Sequence, residues 1–410
     1  MNGLFDNLPL AIVLIGLTVV AAMLVRGVCR RVGVPALVGY MLLGVAMRIV
    51  DSGGSLLTPE VMTIFEFLAG IGIVALLFRV GLEAEAQSML SQLRRAAWVW
   101  IGNVGLSGAL GFATAHYLLG LAVIPSLFAG VALTATSLGV CLGVWREADK
   151  LNTPAGALLT DVAELDDVSG IILMILLISA APILMAGNGG IAETMGGALF
   201  EIGVKIVLFA AVCFAFARYL EHPITRLFEK LEPSPNPMLP IAGMALVFSA
   251  VAGWLGFSLA VGALFAGLIF SREAAAERVD EAFSPLYDFF VPFFFVNVGL
   301  ILETDFALSG LAFGVPLLVA GIVGKVAGTF LPAMPMTSLI GGVVLGVSMM
   351  PRAEIALIVA SEGRKLGDWA VPPELFSALV FVCLATSVLS PVVVTRILAR
   401  WTPSLRTLES

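Results

Sequence analysis

Long apolar stretches separated by short polar breaks run through the whole chain. A helix needs roughly 20 apolar residues to cross the hydrocarbon core of a bilayer. Dividing the chain at its polar, proline and glycine breaks predicts about thirteen transmembrane helices. The predicted spans are 8–25, 34–49, 62–82, 96–118, 122–143, 157–183, 199–219, 237–254, 257–271, 285–302, 307–330, 337–361 and 373–398. The pattern therefore predicts an all-α polytopic membrane protein.

The composition agrees with this class and excludes a soluble globular domain. Charged residues make up 12% of the chain and hydrophobic residues 60%, whereas an ordinary soluble domain is about 25% charged. The four cysteines form no CxxC motif and only two histidines occur, so a structural zinc site, a thiol redox centre or a haem pair is not expected. No nucleophile–base set is recognisable. We expect a protein that is not an enzyme, needs no cofactor and binds no nucleic acid.

Lysine and arginine residues indicate the orientation, because cytoplasmic loops carry an excess of both. With the N-terminus outside, the predicted outer loops hold only Arg48, Arg364 and Lys365. No basic stretch precedes the first apolar run, which favours a retained helix over a cleavable signal peptide. The sequence predicts a multi-pass plasma (inner) membrane protein whose N-terminus is outside and whose C-terminus is cytoplasmic.

Four carboxylates lie on the predicted span 157–183, where a charged side chain costs roughly 2.5 kcal/mol or more unless it is paired or hydrated. They are Asp161, Glu164, Asp166 and Asp167. At 1.5 Å per residue, the two aspartates lie ~15–18 Å from the inner end of the helix, near the bilayer midplane. Neighbouring residues on a helix point about 100° apart, so the two aspartates face different partners. We interpret Asp161 and Glu164 as a polar cytoplasmic vestibule and the aspartate pair as functional.

Lys325 lies in the glycine-rich sequence GIVGKVAG on the predicted span 307–330. It is ~8 Å from the inner end of that helix, a depth from which a lysine side chain can extend its amine to the membrane surface. The same arithmetic places it several Å shallower than Asp166, a gap that the side chain can also cross. Spacing alone leaves both interpretations open.

Two predicted spans, 122–143 and 337–361, carry residues that interrupt a helix. Proline removes a backbone donor and hydroxyl groups compete for backbone hydrogen bonds, so we expect both spans to be broken. Interrupted helices at corresponding positions in two halves of a chain indicate a transporter binding site. The pattern fits two inverted halves connected by 199–219. The candidate residues are Thr134, Thr136 and Ser137 in the first span and Pro351, Arg352 and Glu354 in the second.

Seven motifs are similar to those of a known family. They are VPALVGYMLLG (34–44), VALLFRVGLE (74–83), LTATSLGV (133–140), ELDDVSG (164–170), VPFFFVNVGL (291–300), GKVAG (324–328) and PRAEIALIVA (351–360). In their order and spacing the chain resembles the monovalent cation:proton antiporter-2 family, in particular its NapA-like Na⁺/H⁺ antiporters. Two positions depart from the pattern: Ala353 stands where the family usually has glycine, and Arg79 is an unusual charge in its motif.

The resemblance implies a NhaA/NapA-like fold with inverted repeats, in which two broken helices cross near the midplane. It also implies a homodimer built from a dimerisation domain and a mobile core domain. On this chain the dimerisation helices then lie mainly in 1–95, and 199–302 supplies the linker and further dimerisation helices. The core domain takes 96–183 and 307–398, and no soluble regulatory domain is expected.

The resemblance also implies roles for the charges within the spans. In such antiporters the second aspartate of the pair binds the cation and the first pairs with the lysine. Asp167 is then the ligand of Na⁺ or another monovalent cation, and Asp166 is the partner of Lys325. Arg352 and Glu354 resemble the charges of the second broken helix, and the three hydroxyl residues of 122–143 resemble the polar groups of the first.

These residues suggest how exchange arises. A desolvated carboxylate resists carrying its charge, so Asp167 is neutralised by a proton or by a monovalent cation, but not well by both. Because a bare charge crosses the membrane only at high cost, competition for this one site produces antiport. We expect exchange of Na⁺ or Li⁺ for protons by an elevator-type motion, electrogenic if Lys325 releases a second proton. A K⁺/H⁺ antiporter, an organic-anion carrier and a cation channel on the same fold stay open as alternatives.

Overall fold

In the computed structural model, the chain is described over residues 8–51, 56–83, 86–151, 153–186, 238–255, 257–271, 276–302 and 306–398, with scattered positions between 204 and 223. The regular elements in these ranges are all helical. They are α1 (Leu8–Val32), α2 (Ala36–Val50), α3 (Pro59–Glu83), α4 (Ala86–Ala113), α5 (Val123–Thr134), α6 (Leu138–Glu147), α7 (Pro154–Ala186), α8 (Met238–Trp254), α9 (Leu259–Phe270), α10 (Ala276–Ile301), α11 (Phe306–Ala333), α12 (Leu339–Ser348), α13 (Glu354–Leu366) and α14 (Pro373–Leu398). A π-helical turn, Thr114–Leu118, extends α4.

The helices fit the predicted membrane spans. Within the described residues, seven helices are long and apolar enough to cross a membrane, namely α1, α3, α4, α7, α10, α11 and α14. Five shorter apolar helices accompany them: α2, α5, α8, α9 and α12. The predicted span 199–219 falls largely outside the described residues. The predicted all-α polytopic fold class is confirmed.

Two helices begin nine or ten residues earlier than the apolar pattern predicts. Helix α4 begins at Ala86 instead of 96, and α10 begins at Ala276 instead of 285. The prediction ended each span at its last run of apolar residues, whereas arginine, glutamine and glutamate are good helix formers and continue a helix beyond the bilayer core. Helix α10 also continues through Pro285 and Pro292, which neighbouring helices in a membrane protein can accommodate.

Both predicted interruptions are present. The first separates α5 from α6 over residues 135–137, and the second separates α12 from α13 over residues 349–353. Ala135 and Ser137 have extended backbones, with φ/ψ of −69°/145° and −85°/104°. Each predicted broken span is therefore a pair of half-helices joined by an unwound segment.

The chain divides into two compact units. The first comprises Met1–Leu24, Tyr40–Glu85 and Ile178–Leu300, and the second Val25–Gly39, Ala86–Leu177 and Ile301–Ser410. The second unit contains both interrupted helices, α4, α11, α14 and most of α7. The assignment of dimerisation and core roles to segments of the chain stays a prediction.

Close contact between α4 and α11 defines the packing of the second unit around Lys325. A Cβ atom on Gly102 would lie 2.5 Å from the carbonyl oxygen of Gly328, and a Cβ on Gly328 would meet Gly102 O in the same way. One turn further along, a Cβ on Gly324 would lie 2.6 Å from Ser107 Cα. Small residues allow membrane helices to approach this closely. The glycines of GKVAG thus let the helix that carries Lys325 lie directly against α4.

We expect Gly102→Ala to destabilise the protein, because the added methyl group meets a backbone oxygen that cannot move aside. Overpacking of this kind typically costs about 1–3 kcal/mol. Gly105→Ala is the matched control. Gly105 lies on the same helix, and a Cβ atom added there would have no neighbour from the surrounding residues within 4 Å. Thermal unfolding in detergent should show a lower midpoint for Gly102→Ala and no loss for Gly105→Ala. Equal midpoints in the two variants would show that α4 and α11 do not pack this closely.

Candidate functional site

A buried ion pair joins α7 to α11 in the second unit. Lys325 Nζ lies 2.7 Å from Asp166 Oδ2, and both side chains are fully buried. The same amine donates a hydrogen bond to the carbonyl oxygen of Thr134, the last residue of α5. The lysine side chain is thus directed at Asp166 and at the end of a half-helix, not at the membrane surface.

Asp167 follows the buried pair on α7 and is only partly buried. Asp161 and Glu164 are also partly exposed, and their spacing of three residues places them on the same helix face as Asp167. The Oδ1 atom of Asp166 is buried, and no hydrogen-bond donor of the described residues reaches it. Carboxylate oxygens are the hard ligands that small cations prefer. The arrangement combines a paired carboxylate with a more accessible one beside it.

A tryptophan on α4 fixes the helix that carries the aspartates. Ser169 Oγ donates to Asp166 O at 2.9 Å, and Trp100 Nε1 donates to Ser169 Oγ at 3.0 Å. These two hydrogen bonds connect α4 to the turn of α7 that contains Asp166. No sequence pattern indicated this contact, because the two residues lie on different spans and neither is charged.

The two unwound segments contact each other directly. Ser137 N donates to Pro351 O at 2.8 Å, and Thr136 Oγ1 donates to Met349 O at 3.2 Å. Backbone groups released from a helix must find other partners in a membrane, where each unsatisfied group costs several kcal/mol. The crossing thus supplies each break with hydrogen-bond partners from the other.

The hydroxyl group of Thr134 bonds within its own helix. Its Oγ1 donates to Val131 O at 2.8 Å within α5. The contribution of Thr134 to the site is its carbonyl oxygen, which accepts from Lys325. A sequence pattern indicates which side chains are polar, but it does not show that a backbone oxygen is the functional atom.

Arg352 is fully buried. Its guanidinium group binds carbonyl oxygens at the C-terminal ends of α5 and α12, the first half-helix of each interrupted pair. Its Nε and Nη2 atoms lie 3.2 and 3.0 Å from Leu133 O at the end of α5, and Nη1 lies 2.9 Å from Met350 O just beyond α12. Nη2 also donates to Gly321 O at 2.9 Å. The C-terminal end of a helix carries partial negative charge. The guanidinium therefore lies where the half-helix dipoles stabilise a cation.

Glu354 has the complementary position. It is the first residue of α13, and its Oε2 accepts a hydrogen bond from Ser137 Oγ at 3.0 Å. Ser137 is the N-cap residue of α6, so this carboxylate lies at the N-terminal ends of two half-helices. Helix N-termini favour negative charge. Lys325 and Arg352 thus lie at C-terminal ends of half-helices, and Glu354 lies at N-terminal ends. This placement explains how these charges are stabilised within predicted membrane spans.

Sequence reasoning missed three hydroxyl residues on α14. Thr386 Oγ1 accepts from Arg352 N at 3.1 Å, and Ser387 Oγ donates to Arg352 O at 3.0 Å. Ser390 Oγ donates to Val347 O at 2.9 Å. A signal was present, because these hydroxyls recur at helical spacing within an otherwise apolar span. The pattern alone did not show which helix they face.

Comparison with known proteins decides the family. The model of a family described as sodium/hydrogen exchanger, transmembrane, matches residues 17–400. The chain belongs to this family. The fold is similar to that of the sodium proton antiporter MjNhaP1 from Methanocaldococcus jannaschii, with a TM-score of 0.66 over 96% of this chain and 99% of that one, at 15% identity.

Two curated relatives are similar over almost their whole length. The high-affinity Na⁺/H⁺ antiporter NhaS3 of Synechocystis is 29% identical, over 94% of this chain and 89% of the relative. The Na⁺/H⁺ antiporter of Enterococcus hirae is 26% identical, over 92% of this chain and 95% of the relative. The resemblance recognised in the sequence motifs is confirmed at the level of the sodium/hydrogen exchanger family.

Proposed function

We propose that this sodium/hydrogen exchanger is a secondary active transporter that exchanges a monovalent cation, Na⁺ or Li⁺, for protons across the membrane. The observation that carries the proposal is the buried Asp166–Lys325 pair beside the more accessible Asp167, in a unit where two interrupted helices cross. Two relatives similar over nearly their full length are named Na⁺/H⁺ antiporters, which supports the same chemistry here.

Asp167 is the shared binding group for the two substrates. Burial disfavours the ionised form of a carboxylic acid, so Asp167 takes up either a proton or a cation when it leaves contact with water. Both loaded forms are neutral at this residue, whereas the empty ionised form is costly to move through a low-dielectric region. The two substrates therefore compete, and only the loaded forms cross. Asp161 and Glu164 provide a negatively charged approach along the same face of α7.

Lys325 supplies a second proton. In the proton-loaded form Asp167 is neutral, and the Asp166–Lys325 pair has no net charge. When the cation is bound by both aspartates, Asp166 no longer compensates the ammonium group, and Lys325 loses its proton. One cation then replaces two protons, and the loaded forms differ by one charge. Exchange is electrogenic for this reason.

The unit that holds the site moves as one body. The second unit contains Asp166, Asp167, Lys325 and the two crossing breaks. An elevator-type motion of this unit would move the ion together with all of its ligands.

Distances between pairs of spin labels would test this in inward-open and outward-open conditions. Label pairs within the second unit should keep their distance, and a change there would contradict rigid-body transport.

The transporter lies in the plasma (inner) membrane with its N-terminus outside and its C-terminus cytoplasmic, and it forms a homodimer. The family resemblance supports the dimer, and the distribution of Lys and Arg supports the orientation. Only 17% of the most apolar window of α1 is buried within the chain, so this helix faces lipid or a partner.

Native mass spectrometry from lipid nanodiscs should give twice the mass of one chain. Fully active particles with the mass of a single chain would contradict the dimer.

Cation-dependent proton movement in proteoliposomes tests the proposed function. Vesicles are acidified inside, and recovery of a pH-sensitive dye is followed after addition of Na⁺, Li⁺ or K⁺ in turn. We expect recovery with Na⁺ and Li⁺. Recovery with K⁺ alone would favour the K⁺/H⁺ alternative, and no recovery with any cation would contradict exchange.

A further inference from the structure

Three hydroxyls on α14 form a strip that faces the second interrupted helix, and we refer to Thr386, Ser387 and Ser390 as the α14 hydroxyl strip. All three side chains are buried, with exposed fractions of 0, 0 and 2%. Thr386 accepts from the backbone N–H of Arg352, Ser387 donates to the backbone carbonyl of the same residue, and Ser390 donates to Val347 O. Both backbone groups of Arg352 are thus held by two neighbouring residues of α14.

The second break needs such partners because it is longer than the first. Five residues, 349–353, separate α12 from α13, and Pro351 within them has no backbone N–H. Met349 N and Met350 N still donate to Leu345 O and Val347 O, but the helix ends there. The backbone groups that follow need other partners, because no water is available in the membrane core to bind them. Thr386 and Ser387 supply hydrogen-bond partners for the backbone of Arg352, the residue of this break whose side chain binds Leu133 O near the end of α5.

These contacts differ from the usual behaviour of hydroxyls in membrane helices. Serine and threonine in a helix commonly bond back to a carbonyl of their own helix. Thr18 donates to Leu14 O and Ser249 donates to Ala245 O in this way. Thr386 also donates to Val382 O at 2.8 Å, but its oxygen accepts from Arg352 N at the same time. Ser387 donates to Arg352 O in the unwound segment between α12 and α13.

An unbroken series of direct contacts links the strip to the ion site. The guanidinium of Arg352 binds Leu133 O, the next residue is Thr134, and Thr134 O accepts from Lys325. Lys325 holds Asp166, which is adjacent to Asp167 in the chain. A shift of the Arg352 backbone therefore moves the end of α5 and the lysine that orients the aspartate pair.

We propose that Thr386 and Ser387 are positioning residues of the exchanger, and that by fixing the backbone of Arg352 they set the apparent affinity for the transported cation. The proposal rests on the proposed function, since the affinity concerned is that of cation–proton exchange. Neither residue touches the cation. Their effect passes through Arg352, Thr134 and Lys325 to the carboxylates that do.

The test compares substitutions that remove a hydrogen bond but keep the side-chain volume. Thr386→Val removes the acceptor of the buried Arg352 N–H, and Ser387→Ala removes the side-chain donor to the Arg352 carbonyl oxygen. We expect each to raise the apparent KM for Na⁺ about fivefold, the effect of one lost neutral hydrogen bond, with a smaller change in kcat per folded protein. Thr386→Ser retains the acceptor and should restore the wild-type KM.

Ser249→Ala is the matched control for Ser387→Ala, because Ser249 is buried and its Oγ donates to Ala245 O of its own helix. This variant should keep the wild-type KM. The readout is Na⁺-dependent proton flux in proteoliposomes, with the amount of folded protein measured by gel filtration. A merely structural role would lower the folded fraction and the melting temperature of Thr386→Val and Ser387→Ala while leaving their KM unchanged, and that result would overturn the proposal.

Two further outcomes have a defined meaning. If Thr386→Val does not fold, Ser387→Ala decides alone, and a wild-type KM in that variant overturns the proposal. If the wild-type protein shows no cation-dependent proton flux, the proposed function fails before the variants are compared. Exchange by the wild type together with unchanged KM values in both variants is a failure of the positioning role only.

Discussion

Asp167→Asn is expected to abolish exchange of every cation. An asparagine side chain has almost the same shape as aspartate, but it carries no charge and does not take up a proton. Neither substrate can then neutralise the site, so the competition that drives exchange is lost. Asp167 is partly exposed beside a fully buried ion pair, and for this reason we expect it to be the group that both substrates reach.

The measurement is proton efflux from acidified, dye-loaded proteoliposomes after addition of Na⁺, Li⁺ or K⁺ outside. Asp368→Asn is the matched control. The Asp368 side chain is 76% exposed and pairs with Arg364, and neither residue belongs to the group of buried charges around Asp166. It should transport like the wild type. Wild-type flux in Asp167→Asn with any of the three cations would remove Asp167 from the role of shared ligand.

Lys325→Gln is expected to make exchange electroneutral and to lower thermal stability. Glutamine can still donate a hydrogen bond to Thr134 O, the second partner of the lysine, but it cannot compensate the charge of Asp166. Loss of one partner from a buried pair typically costs about 3–5 kcal/mol, and Asp166 is then expected to be protonated in the folded protein. Asp167 still alternates between cation and proton, so exchange continues with one proton for each cation.

The reversal potential separates the two forms of exchange. Opposing Na⁺ and pH gradients are imposed on proteoliposomes, and the voltage at which net flux stops is measured. The wild type should show a voltage-dependent balance point, whereas Lys325→Gln should respond only to the two concentration gradients. Lys365→Gln serves as control, since that lysine is 60% exposed and pairs with Glu362. Identical reversal potentials in wild type and Lys325→Gln would show that Lys325 supplies no second proton.

Much of the architecture follows from the sequence because the membrane imposes a simple rule on helix length and polarity. Apolar runs located the described helices, and Pro351 with its neighbours located the second break. Residues that are costly in a bilayer, such as Asp166 and Lys325, were recognisable for the same reason. The prediction was weakest at helix ends outside the bilayer core, where Ala86 and Ala276 begin helices that hydropathy does not detect.

The contacts that fix the site could not be read from the pattern. Arg352 binds backbone carbonyls instead of an acidic side chain, and backbone oxygens leave no trace in a sequence. Thr134 was recognised for its hydroxyl, although its carbonyl is the atom that meets Lys325. Thr386 and Ser387 lie more than thirty positions beyond the break that they hold, a pairing that only the tertiary structure reveals.

Coupling between cation and proton movement is the property that distinguishes an exchanger from a channel or from a carrier of another solute. The direct measurement follows radioactive Na⁺ and internal pH in the same proteoliposomes, with the voltage held at zero and no other solute present. For the wild type we expect Na⁺ uptake accompanied by proton release in a fixed ratio, and uphill Na⁺ uptake when only a proton gradient is applied. Na⁺ that enters without proton release, and never against its own gradient, would contradict cation–proton exchange by this protein.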